Sequence, residues 1–339
     1  MVEDPGTPLA AGIWNPRMTT TEPDAAQRPG PPECSIIIAT MALRERADTL
    51  FRAIESVRKG NHTPLEVLVV VNGQQFDPDL VRRLCHAPLV RTIRLETASF
   101  ARALEFGVRE SSAPYFGFLD DDDEYLPGAV DLRVEALRSR PNAALLASNG
   151  FRQVDDQDKL ALLNLAEAER DPLVSLFREN WLPSCGGMFR RSRIPEDLFH
   201  DISSHLEWTW VAFQVARRLE VAVLDEPTFR IHSFPDSQSR SSQYLLNQPP
   251  ALRRILLDCT RQDARAIVRK HLAQSLYRLS NHYLDRKEYR LAWKYHLDCL
   301  LCRPEGWRYW KHAARLAGLR RSPGSRRGGI GSGGRFDAP

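Results

Sequence analysis

Four aspartates in a row, Asp120 to Asp123, follow the apolar run Tyr115-Phe-Gly-Phe-Leu119 and give way at once to Glu124, Tyr125 and Leu126. Four adjacent negative charges cannot sit inside a strand unless something neutralises them or they lie at its open end. The pattern therefore places them at the carboxyl end of a sheet strand, where α/β folds bind ligands. Hard carboxylate oxygens gathered in this way suit Mg2+ or Mn2+, and those ions usually bring a phosphorylated partner. Acidic runs also serve as solvated surface and as Asp-rich turns. The apolar lead-in and the immediate return to Tyr125 and Leu126, before Pro127-Gly128, favour the metal.

Such a strand needs a sheet, and the flanking residues predict one. Cys34–Ala39 and Glu66–Val71 are short apolar, β-branched runs that read as buried strands, the second closed by Asn72-Gly73. Between them Leu50, Ile54 and Val57 recur at helical spacing. A helix around Leu80–Leu84, a strand at Val90–Leu95 and a helix over Ser99–Glu110 lead to Tyr115–Leu119. Beyond the acids come a helix (Val130, Val134, Leu137), a strand at Ala143–Ser148, a helix over Glu207–Leu219 and a strand at Val221–Leu224. This alternation predicts βαβ units and a mostly parallel central sheet flanked by helices. Residues 160–205 carry no clear period. Within them the paired Gly186 and Gly187 predict a loop approached closely by a ligand or by other backbone.

We expect a disordered, proline-rich leader over 1–33, an α/β catalytic domain over 34–248, a helical C-terminal subdomain over 249–318 and a disordered Arg/Gly-rich tail over 319–339. In the helical part Leu272, Leu276, Leu279 and Tyr283 share one face, and Trp293, Leu297 and Leu300 another. Shaping the acceptor side and self-association into a homo-oligomer are the two open roles for this appendage. The net charge of +4 is matched by the tail, whose five arginines face only Asp337, so the body is near neutral and charge gives no argument for nucleic acid. The tail is read as solvated, with peripheral contact to anionic lipid as the alternative. Six scattered cysteines form no disulfide framework and fit a reducing compartment. No apolar run reaches the ~18–20 residues that span a bilayer, and no signal pattern opens the chain, so we expect a cytoplasmic protein.

Neither G-x-G-x-x-G after the first strand nor G-x-x-x-x-G-K-[ST] anywhere is present. A phosphate ligand must then be countered by other means, and a carboxylate-held cation does so directly. Asp120, Asp121 and Glu124 have the D-D-x-x-E look of prenyl-transferring enzymes, but that motif sits on a helix and a strand pattern precedes this one.

Over roughly residues 34–245 the chain resembles a family 2 glycosyltransferase of the GT-A fold. Four segments carry the likeness: Ile36–Thr40 with Arg46–Leu50, Glu66–Gly73, Gly107 thirteen residues before Asp120, and Leu119-Asp-Asp-Asp-Asp123 against the family's L-D-x-D-D. The resemblance implies a nucleoside-diphosphate-sugar donor, a hydroxyl acceptor and a divalent metal, Mn2+ or Mg2+. It implies nucleotide-sugar contacts at Thr40, Arg46, Asn72, Gly73, Asp120 and Asp121. Asp122 would be the direct metal ligand, with Asp123 supporting it and His232 on the metal or pyrophosphate. Ser184–Arg190, with Gly186 and Gly187, is similar to the loop bordering acceptor and donor sugar. His205-Leu-Glu207-Trp208 stands where the family has Glu-Asp-Trp, which implies that Glu207 is the catalytic base and that Trp208 lies beside the sugar. The plain alternatives are an acid at a helix start for Glu207 and a structural residue in a strand-end turn for His232. Val71 and Glu105 depart from the family's Asp and Asn on the nucleotide side, so the donor's base is not carried over. The rival functions are a nucleotidyltransferase and a non-catalytic nucleotide-sugar-binding module of the same fold.

Overall fold

The computed structural model describes residues 31–154, 157–232, 242–303 and 307–317. The expected leader lies outside the described residues except for its last three, and the expected tail lies wholly outside them.

The β-branched runs are buried on both faces, which is why they read as continuously apolar rather than alternating. β1 (Cys34–Thr40), β2 (Leu65–Asn72), β3 (Val90–Leu95) and β4 (Tyr115–Phe118) lie parallel in the order β3-β2-β1-β4. Three helices make the crossovers: α1 (Ala47–Arg58), α2 (Pro78–Cys85) and α3 (Phe100–Glu110). Alternate residues serve opposite layers. Ile36, Ile38, Val67 and Val69 pack with α1, while Ile37, Leu68 and Val70 pack with α3. Register sets the working edge: Thr40 pairs with Val71 and Ile37 with Phe118, so the carboxyl ends of β1, β2 and β4 open together. Asp120 begins two residues past that edge.

After β5 (Glu124–Tyr125), α4 (Ala129–Arg138), β6 (Leu145–Val154), β7 (Gln157–Leu160), α5 (Glu167–Arg170), α6 (Pro172–Arg178), β8 (Gly187–Arg190), α7 (Glu207–Arg218) and β9 (Val221–Ile231), the sheet is mixed. Its path continues β4-β8-β6-β9-β5, with β7 paired to β6. β8 runs antiparallel to both β4 and β6, whereas β6 and β9 are parallel. The expected parallel sheet thus describes the first four strands, and beyond them antiparallel pairs enter, β8 against β4 and β6 and β5 against β9. β6 and β9 also run past their predicted ends, because their ladder continues through bulges after Ser148.

The C-terminal helices are α8 (Ser242–Asp258), α9 (Gln262–Asp285), α10 (Tyr289–Cys302) and α11 (Trp307–Leu316). α8 passes through the predicted 248/249 boundary, and Leu252, Ile255, Leu272 and Leu276 belong to the same core as α6 and α7. Leu272, Leu276 and Leu279 are buried as their spacing predicts. On α10 the buried stripe is Ala292, His296 and Cys299, which corrects the predicted Trp293–Leu297–Leu300 face: Leu297 is 53% exposed. Ser280 on α9 lies against this stripe: its hydroxyl donates to the Ala292 carbonyl at 2.8 Å, and His312 Nε2 on α11 stands 2.9 Å from Ser280 Oγ. Polar groups are thereby buried between α9, α10 and α11. Among the described residues no helix is long and apolar enough to cross a membrane.

Gly107 brings α3 against β1: a Cβ there would fall inside the contact radius of Ile37 Cγ2, with Val70 Cγ2 3.4 Å away. Alanine normally improves a helix over glycine by roughly 0.5–1 kcal/mol, but overpacking a rigid core costs about 1–3 kcal/mol. Overpacking wins. Gly107→Ala is expected to lower the urea midpoint at unchanged m-value, whereas an unchanged or raised midpoint would show that α3 can shift freely on the sheet.

Candidate active site

The apolar strand residues carry the acids into a half-buried position at the sheet edge, and each acid acquires different partners. Asp121 turns toward β1, where it accepts from Thr40 Oγ1 at 2.7 Å and from Arg46 Nη2 at 2.8 Å. Thr40 Oγ1 in turn accepts from the Ala42 amide at 2.9 Å, across a turn in which Ala42 has φ +50°. Asp122 accepts from Arg46 Nη1 at 3.1 Å, and its backbone carbonyl accepts from Arg52 Nη2 at 2.8 Å. Asp120 accepts from Ser184 Oγ at 2.6 Å. Asp123 accepts from the His232 amide at 3.0 Å, and the Cys185 thiol lies 3.8 Å from its other oxygen.

One carboxylate oxygen from each of Asp120, Asp122 and Asp123 lies within 4.8 Å of the others, and oxygens sharing an ion bound at ~2.1 Å are at most ~4.2 Å apart. Three hard carboxylate oxygens grouped this closely are the donor type a divalent cation such as Mn2+ or Mg2+ takes. The electrostatics agree. Burial pushes the Asp120 carboxyl up to about 7, with Asp122 repulsion adding to it and the Ser184 hydroxyl opposing. Burial also raises Asp123 well above the carboxylate range, helped by Asp120 and Asp122. Asp121 is raised by burial despite Arg46 and Thr40. Acids strained in this way are relieved by a cation among them.

The other predicted residues fall around this cluster. Asn72 Nδ2 donates to the Thr40 carbonyl at 3.0 Å, which ties the ends of β1 and β2 together. Gly73 has φ +93°, a conformation that favours glycine, and its amide donates to the Leu95 carbonyl at 2.8 Å. Gly186 and Gly187 are required by close neighbours within the chain, since a Cβ would meet Pro183 Cγ at 2.8 Å and Leu182 Cδ1 at 2.8 Å respectively. Glu207 opens α7, and its carboxylate accepts from the His205 amide at 2.9 Å. Burial raises the Glu207 pKa, partly offset by backbone hydrogen bonds including that of His205, and its charge in turn adds to the rise at Asp120. Glu207 is therefore near enough to the cluster for its charge to be felt at Asp120. Trp208 packs edge-on against Phe118 with centroids 4.9 Å apart, and its buried indole N–H has no hydrogen-bond partner among the described residues.

His232 reaches the acids through its backbone. Its ring nitrogens stand 2.7 Å from Gln153 Oε1 and 2.6 Å from Glu124 Oε1. Glu105 meets His200 at 3.8 Å. Sequence reading missed Arg52, Gln153 and the paired role of Ser184. Arg52 lies on α1, six residues after Arg46, an interval that puts the two on different sides of a helix, so no spacing signal flagged it.

An acid cluster at the carboxyl edge of a parallel half-sheet, continued by a mixed half and a helical C-terminal region, defines a GT-A type α/β protein. Residues 35–199 match the model for glycosyl transferase family 2. The chain is similar to an uncharacterized glycosyltransferase of Rickettsia felis, at 22% identity over 174 residues (50% of this chain, 28% of the relative), and to one of Rickettsia bellii, at 25% over 161 residues (46% and 23%). It thus spans less than a third of either relative's length. S. aureus TarS 1–349 in complex with UDP-GlcNAc superposes with a TM-score of 0.58 at 14% identity, covering 85% of this chain and 83% of that one. A further TarS structure superposes at 0.52, with 14% identity over 85% of this chain and 50% of the other. These likenesses show the fold.

Between pH ~4 and ~7 the folded chain keeps a proton on Asp120 that the unfolded chain has released, so this group's contribution to stability is lost as pH rises through that window. In chelator-treated protein, Asp120→Asn should therefore be more stable than wild type at pH 8 by on the order of 2 kcal/mol. That difference should shrink steadily toward pH 4 in urea titrations. A difference independent of pH would contradict the strained-acid description.

Proposed function

We propose that the chain is a metal-dependent, inverting glycosyltransferase that moves a sugar from a nucleoside-diphosphate sugar to an acceptor hydroxyl. The observation that carries this reading is the grouping of Asp120, Asp122 and Asp123 at the end of β4, with Glu207, at the start of α7, near enough for its charge to raise Asp120. The family match over 35–199 and the fold shared with a protein crystallised with UDP-GlcNAc support a nucleotide-sugar donor.

Asp122, with Asp120 and Asp123, would hold Mn2+ or Mg2+. Bound there, the ion supplies Lewis-acid stabilisation of the departing diphosphate, whose charge is the largest electrostatic demand of the reaction. Thr40, Arg46, Asn72 and Gly73 line the nucleotide side. Glu207, raised by burial, takes the proton from the acceptor hydroxyl. The acceptor oxygen then bonds to the anomeric carbon from the face opposite the diphosphate. The bond from that carbon to the phosphate oxygen breaks, its electron pair leaves on the nucleoside diphosphate, and the configuration inverts. Trp208 and the Gly186–Gly187 loop border the space where the sugar would lie. The Arg-rich tail and the helical appendage are proposed contacts for a membrane surface and for a second copy of the chain.

Two measurements test the reading. A nucleoside diphosphate at ~100 Kd with Mn2+ should add about 2.7 kcal/mol of stability. Asp122→Ala should abolish the Mn2+-dependent part of that thermal shift while leaving the fold intact, and an unchanged Mn2+ response would defeat the ligand assignment. Glu207→Gln should keep donor binding but lower turnover by roughly 10²–10⁴-fold, the usual range for a lost general base. Turnover should release free nucleoside diphosphate, whereas pyrophosphate release would mark a nucleotidyltransferase instead.

A further inference from the structure

We infer that Arg46 is an exchangeable counter-ion: its guanidinium holds Asp122 in the metal-free site and pivots onto the donor's diphosphate when a divalent cation takes that carboxylate. The inference rests on the nucleotide-sugar reading above and adds a binding order to it.

Arg46 forks across two neighbouring acids, with Nη2 on Asp121 at 2.8 Å and Nη1 on Asp122 at 3.1 Å. The two acids are not equivalent. Asp121 has a second donor in Thr40 and lies outside the group of three carboxylates that could share an ion. Asp122 belongs to that group, and among the described residues Arg46 is the one side chain bonded to its carboxylate. A cation and Arg46 Nη1 therefore compete for Asp122, while the Arg46–Asp121 bond need not break. The movement required is a pivot about Asp121.

Exposure permits it. The Arg46 side chain is 37% exposed, at the start of α1 on the rim of the strand ends, whereas Asp121 is 12% exposed and fixed. Burial opposes the Arg46 charge, but Asp121 and Asp122 outweigh it and hold the guanidinium above its ordinary pKa, so it stays charged throughout. Charge balance gives the pivot a direction. Arg46 is shared between two carboxylates, Asp121 and Asp122, and when a cation takes the second of them a diphosphate brings new negative charge that the freed Nη1 can meet. A planar guanidinium suits both partners, since it bridges carboxylate or phosphate oxygens through parallel N–H donors. Arg52 offers the contrast. It donates to the Asp122 backbone carbonyl, which no metal displaces, and so it has no reason to move.

The consequence is coupling. Without a diphosphate, metal entry must break the Arg46–Asp122 pair. With one bound, Arg46 has already been drawn away, so each ligand strengthens the other by the same factor. Mn2+ affinity is measured by electron paramagnetic resonance at fixed pH, with Mn2+ alone and with saturating UDP. The ratio of the two dissociation constants is the coupling factor. In Arg46→Ala, Mn2+ alone should bind about tenfold more tightly than in wild type, within the range typical of coupled sites, and the coupling factor should fall by the same amount. Arg46→Lys, a point charge without the fork, should fall between the two. Arg52→Ala removes a charge of the same sign nearby and should leave the coupling factor at its wild-type value. Equal coupling in wild type and Arg46→Ala overturns the exchange while leaving the metal site standing. Loss of coupling in Arg52→Ala to the same extent reduces the effect to general field and also overturns it. Absence of Mn2+ binding by wild type, with and without UDP, overturns the metal reading and the exchange together.

Discussion

Carboxylates crowded at the tip of β4 are the constraint around which the rest of this molecule is arranged. Burial raises the pKa values of Asp120, Asp121 and Asp123, and their mutual repulsion adds to the strain. The chain meets each acid with something different: a guanidinium and a hydroxyl for Asp121, a hydroxyl for Asp120, a backbone amide for Asp123. None of these neutralises Asp120 or Asp123 fully. The residual field is a standing demand for a cation, and a site under such demand gives up stability for function.

Both halves of the sheet serve that point. The parallel half brings Thr40, Asn72 and Leu119 to one edge, which is what register requires once β1 lies between β2 and β4. The mixed half supplies Ser184 and Cys185, just before β8, and His232, just after β9. β8 pairs with β4 itself, so the loop preceding it cannot drift away from the acids. Tyr125 closes the far side: its hydroxyl donates to the Phe118 carbonyl at 2.8 Å, and the buried Arg133 stacks on its ring at 4.3 Å. The acidic run is thereby pinned at both of its apolar ends.

Much of this was legible in the residues themselves. Ile36–Ile38 and Val67–Val71 are too apolar to face water on either side, so their strands follow from composition alone, and the spacing of Leu50, Ile54 and Val57 does the same for α1. Short elements were not legible. β5 is two residues long and β8 begins at a glycine, so neither has enough period to show, yet both sit beside the acids. Gly186 and Gly187 announce close approach without saying what approaches, and Pro183 and Leu182 do so here. The face of α10 was misread because Ser280 and His296 are polar residues buried through hairpin packing, which hydrophobic spacing cannot anticipate. Arg46 could be placed near the nucleotide from sequence, but its fork across Asp121 and Asp122 depends on side chains 75 and 76 residues away.

The central claim is that a divalent ion belongs among Asp120, Asp122 and Asp123. Anomalous diffraction at the manganese edge, from crystals grown with Mn2+ and UDP, tests it most directly. The account predicts a peak ~2.1–2.2 Å from an Asp122 carboxylate oxygen, with Asp120 or Asp123 in or beside the coordination shell. A peak elsewhere on the molecule, or none at the end of β4 in crystals that hold UDP, would contradict it.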